Sequence, residues 1–89
     1  MSRLESVIKE LLHIKQELSL RINMLEMEAQ QQWQTLLRKL SVLEDELEHD
    51  LVTLAEKLGH YEEERFVGNE QEIENLLNEF RALHSKSRH

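Results

Sequence analysis

Not until Gly59 does this chain contain a glycine, and it contains no proline anywhere. Over that uninterrupted stretch the apolar residues return at intervals of eighteen, which is five full turns of an α-helix. Leu4, Ile22, Leu40 and Leu58 form one row, and Val7, Leu25, Leu43 and Tyr61 a second. Leu18, Leu36 and Leu54 form a third, Leu11, Ala29 and Leu47 a fourth, and Trp33 lines up with Leu51. At 100° per residue all of them fall on one stripe roughly 100° wide, the mark of a helix that packs against a neighbour. The stripe holds its phase from Leu4 to Tyr61, so the pattern favours one helix over about 3–66.

The stretch "AQQQWQTLL" at 29–37 is compatible with that helix, since glutamine and tryptophan are acceptable helix residues. The best counter-signal follows it. In "RKLSVLEDE", Arg38 and Lys39 precede Ser41, and Glu44 stands three residues after that serine, as in a helix end followed by a capping box. The alternative to the rod is therefore a compact three-helix arrangement broken near 29–41. Gly68 suits a left-handed helix terminus, and Asn69 with Glu72 reads as the cap of a second helix. That helix, about 70–84, would carry Ile73, Leu76, Leu77, Phe80 and Leu83 on one face and fold back on the first. The expected fold is all-α and a single domain over 1–84, with 85–89 as a disordered tail.

A helix of some sixty residues would be roughly 90 Å long, and a short second helix could not cover its stripe. Each leucine withdrawn from water contributes about 1.5–3 kcal/mol, so the stripe calls for a second copy of the chain. The self-association surface expected on this reading comprises Leu4, Ile8, Leu11, Leu18, Ile22, Leu25, Ala29 and Trp33 in its first half. Leu36, Leu40, Leu43, Leu47, Leu51, Leu54, Leu58 and Tyr61 complete it. Charge favours an antiparallel coiled-coil homodimer: residues 1–40 carry +1, whereas 41–80 carry −11 in a chain whose net charge is −7. The two-fold axis would then fall near Trp33 and pair the two indoles.

Nucleic acid is a poor partner for such a surface, because phosphate binding needs clustered Lys and Arg. No apolar run approaches a membrane span of about 18 residues, the N-terminus lacks the apolar core of a signal peptide, and cysteine is absent. A cytoplasmic protein is expected. No nucleophile elbow or glycine-rich phosphate loop is present, so neither an enzyme nor a cofactor is expected. Glu10-x-x-His13 and Glu46-x-x-His49 resemble half of the dimetal-carboxylate signature of ferritin-like bundles. Both lie on the sector opposite the leucine stripe, whereas metal ligands must project into a bundle core. His60 and His84 fall near expected helix ends, where an imidazole can meet free carbonyls.

Two features fall outside the stripe. Leu20, Met24 and Met27 lie roughly opposite it, so this segment is apolar on two sides. Methionine adapts to varied surfaces, which makes these three a candidate surface for a partner helix. Glu44, Asp45, Glu46 and Glu48 form the densest acidic run, a candidate docking surface for a basic partner. The functional expectation is a small helical interaction module, such as an adaptor, assembly factor or small chaperone, that binds itself and another protein. The alternatives are an acidic inhibitor or nucleic-acid mimic that occupies a basic site and, more remotely, a ferritin-like dimetal protein.

Overall fold

The stripe is not drawn out along one rod. In the computed structural model, which describes residues 3–57 and 69–87, the chain breaks twice where the sequence favoured continuity. Helix α1 spans Arg3–Arg21, a 3-10 turn covers Ile22–Met24, and α2 spans Met27–Leu47. Helix α3 follows at Leu51–Lys57, and α4 at Glu70–Ser87. Among the described residues there is no strand, so the all-α expectation stands while the single 3–66 helix is corrected. The expected end of the long helix near Phe66, and Gly59, Gly68, Leu58, His60 and Tyr61, lie outside the described residues. Ser85–Ser87, expected as tail, continue α4.

The first break has no glycine to announce it. Leu25 and Glu26 turn extended, with ψ of 155° and 157°. The Leu25 N–H bonds back to the Ile22 carbonyl at 3.2 Å, and Gln30 donates its backbone N–H to Glu26 at 2.9 Å to start α2. The Gln30 side chain closes the corner by donating to the Leu25 carbonyl at 3.0 Å. One of the three glutamines thus helps turn the chain, while Ala29–Leu37 itself is helical. The balance of energies explains the break. Interrupting a helix forfeits a few hydrogen bonds, each worth about 0.5–1.5 kcal/mol net. Reversing the chain lets α4 and α3 cover Leu4, Ile8, Leu11, Ile14 and Leu18, each worth about 1.5–3 kcal/mol when buried.

The second break falls at Glu48–Asp50, later than the Ser41 boundary suggested by the capping-box pattern. Glu48 adopts the left-handed conformation, φ 61° and ψ 19°, at a cost of about 1–2 kcal/mol for a residue with a Cβ. Its N–H bonds to the Asp45 carbonyl at 3.2 Å, and that of His49 to the Glu44 carbonyl at 3.3 Å. These bonds satisfy the last carbonyls of α2. Asp50 then caps α3, its Oδ1 accepting the Thr53 N–H at 2.7 Å. Glu44 reaches across the corner to accept the Leu51 N–H at 2.7 Å.

The outcome is a three-helix bundle, with α2 extended by α3. Helix α4 fills the groove between α1 and α2, which meet each other far less than each meets α4. Ion pairs set the register. Arg3 meets Glu74 and Arg81 meets Glu10, so α4 runs parallel to α1. Lys39 meets Glu79 and Trp33 meets Phe80, which makes α4 antiparallel to α2. Ile8, Leu11, Leu18, Leu51, Ile73 and Phe80 are among the fully buried side chains of one continuous core. The molecule measures 41 × 23 × 19 Å, well short of the expected rod.

Candidate interaction surface

The folded chain uses its leucine stripe internally. Leu4, Ile8, Leu11, Leu18, Trp33, Leu36, Leu40, Leu43, Leu47, Leu51 and Leu54 are buried within one protomer. Ile22, Leu25 and Ala29 are half-buried at the corner between α1 and α2. Among the described residues, the stripe that called for a second copy is therefore covered within one chain. Trp33 also has an aromatic partner in its own chain. Its ring stands edge-to-face against Phe80, with centroids 6.0 Å apart and planes at 82°. An indole so engaged and only 6% exposed is not placed to pair across a symmetry axis.

Leu20, Met24 and Met27 have the opposite fate. They are 78%, 84% and 75% exposed, above any other large apolar residues described. They sit on the end of α1, the 3-10 turn and the first residue of α2, so they form an apolar cap on one end of the bundle. Their off-phase position in the sequence is the trace of this corner, because a helix about to reverse has no need to keep its outer side polar.

The acidic run divides. Glu44 is half-buried and, like the exposed Asp50, is spent on capping α3; Asp45, Glu46 and Glu48 are exposed. Part of the run therefore builds the corner between α2 and α3. Glu46 does something different. It faces Glu72 of α4, and repulsion from that carboxylate, a hydrogen bond shared with it and, least, some loss of hydration hold the Glu46 carboxyl above its ordinary value. Glu72 could not be found from the sequence, since the pairing depends on the antiparallel register of α2 and α4.

The two seams along α4 differ in charge. On the α1 side, carboxylates meet cations: Arg3 with Glu70 and Glu74, Arg81 with Glu10, and His84 with Glu17. The hydrogen bond to Glu10 holds the Arg81 guanidinium above its ordinary value. Glu17 is bracketed by two imidazoles, His84 Nε2 at 2.6 Å and His13 Nε2 at 3.0 Å. The His84 hydrogen bond chiefly depresses its carboxyl, helped by His13, His84 and Arg21 as nearby charges and opposed by desolvation. His84 therefore meets a carboxylate, not the helix-end carbonyls expected for it. On the α2 side, Lys39–Glu79 at 2.7 Å is the cross-seam ion pair, flanked by open grooves of about 450 and 240 Å³.

The Glu-x-x-His pairs do not converge on a shared centre. Glu10 is bound to Arg81, His13 to Glu17, and Glu46 faces Glu72. Among the described residues no three His, Asp or Glu side chains are grouped to hold a metal ion, and no helix is long and apolar enough to cross a membrane. The chain matches no protein-family model, and neither a curated protein nor a solved structure is significantly similar to it.

Proposed function

We propose that this chain is a small helical interaction module that docks a partner helix through the apolar cap formed by Leu20, Met24 and Met27. One observation carries the reading. Three large apolar side chains are at least three-quarters exposed at a single corner, in a fold that otherwise buries its leucines. Exposed apolar clusters of this kind mark interaction sites on soluble proteins, and methionine suits a surface that must adapt to its partner. The cap adjoins the end of α1 and the start of α2, which fits helix-to-helix docking of an adaptor, assembly factor or small chaperone. A cytoplasmic setting goes with this reading, and cell fractionation checks it.

A photo-crosslinking residue placed at Met24, with a second at exposed Gln34 as control, tests the cap in cells that make the protein. A discrete adduct from position 24 and none from 34 is the expected result. Identical patterns, or no adduct from position 24, would sink the reading. Self-association through the same cap is its homodimeric form. Light scattering over a range of concentrations detects it, and Met24→Glu with Met27→Glu should abolish it. The acidic-inhibitor alternative loses ground because Glu44 and Asp50 cap α3 and so are not offered whole to a basic site.

A further inference from the structure

Resting on the interaction-module reading, we propose that the seam between α2 and α4 seats an arginine carried by a helix of a partner protein. Its aliphatic stem would lie on Val42 and Leu76, and its guanidinium between the carboxylates of Glu46 and Glu72. The seam holds a groove of about 240 Å³ lined by Val42, Leu43, Leu76, Glu46, Glu72 and Asn75 among others. Its floor is apolar, with Leu43 and Leu76 buried and Val42 left 55% exposed at the rim. At its acidic end Glu46 and Glu72 face each other, while the lysine lining the groove, Lys39, is held by Glu79 at 2.7 Å. The other seam of α4 shows how this fold treats a carboxylate at a helix interface, supplying Arg3, Arg81 or His84 from the same chain. Among the described residues no cation is paired with Glu46 or Glu72, and an outside arginine would supply one.

The chemistry selects the occupant. A bare cation would leave Val42 uncovered, whereas an arginine carries apolar methylenes behind its charge. Its planar fork can donate to two carboxylates at once, which a lysine ammonium does less well. A second copy is disfavoured, since each chain carries a net charge of −7 and like charge opposes association.

The test is a titration of uniformly 15N-labelled protein followed by amide shifts. One probe is a short amphipathic helical peptide with arginines along one face; the other has citrulline, a neutral isostere, in their place. The arginine peptide should move the Val42, Leu43, Glu46, Glu72 and Leu76 signals, and the citrulline peptide should leave them in place. Glu46→Gln with Glu72→Gln should weaken binding about tenfold or more, the usual cost of losing a charge-assisted contact at an interface. Both side chains are exposed, so the fold is retained, which unchanged signals outside the seam would verify. Asp45→Asn with Glu48→Gln removes the same charge elsewhere and should weaken binding less than about threefold, because exposed charges are screened. Equal losses in the two variants would mean general attraction to an acidic surface and overturn the seat. So would still seam signals, or shifts that track protein concentration alone. If the Met24 crosslinker collects a partner while the seam signals stay still, the seat falls and the module reading stands. Seam binding with no Met24 adduct gives the reverse.

Discussion

Phe80 is fully buried and holds its ring against the face or edge of Trp33, so it ties α4 to α2 at the centre of the core. Phe80→Ala should cost about 3–5 kcal/mol in urea unfolding followed by the fluorescence of Trp33, and Phe80→Leu considerably less. Two carboxylates respond to pH with opposite signs. Glu17 is depressed below its usual 4.5, so the folded state holds its proton less tightly than the unfolded state. Its contribution is present above that value and is lost as pH falls through the depressed one. Glu17→Gln should lower stability at neutral pH and flatten the acid limb of the stability curve. Glu46 is raised above 4.5 by Glu72, so the folded state takes up the proton first. Stability from this site increases as pH falls from neutral through the raised value. Glu46→Gln should therefore raise the neutral-pH midpoint slightly and remove that increase, as read by thermal melts across pH. Neither sign was legible in the sequence, where Glu17 and Glu46 stand among similar neighbours and their partners lie far along the chain.

Individual helices were easier to read than their ends. The eighteen-residue rows identify the apolar face of α1, α2 and α3, and the face of α4 carrying Ile73, Leu76, Leu77, Phe80 and Leu83 is buried as its spacing implied. The breaks were missed because helix propensity is a weak local preference of at most about 1 kcal/mol for residues other than proline, and burial overrides it. The corner residues Ile22 and Leu25 are themselves apolar and half-buried, so the eighteen-residue rows run through them and the stripe looks unbroken. Leu20, Met24 and Met27 were the available sign of the corner. At the second break Asp50 with Thr53 forms a cap that the sequence contained, but Ser41 and Glu44 offered a competing one. Two substitutions probe this corner. Glu48→Gly should stabilise by up to about 1 kcal/mol, because glycine takes the left-handed conformation without a Cβ clash. Asp50→Ala should cost about 0.5–2 kcal/mol by removing the cap of α3. Chemical denaturation of each variant measures both.

For the whole molecule, burial of the stripe within one chain removes the reason to build a rod from two. Small-angle scattering of the monomer should return a particle close to 41 Å in its longest dimension, and a profile approaching the roughly 90 Å of a continuous helix would overturn the bundle. The sequence supplied the apolar inventory but not its closure, because a period of eighteen describes a face and says nothing about which face covers it. That covering is the work of α4. It lies between α1 and α2, which touch each other little, and it is also the last described helix in the chain. A ribosome making this protein therefore releases the leucines of α1, α2 and α3 before the element that shelters them has emerged. The nascent chain must wait, sticky and unfinished, for α4, and a message cut short before α4 would yield a product whose core cannot close. The order of synthesis thus makes α4 the closing element: the bundle can form only after α4 has been made.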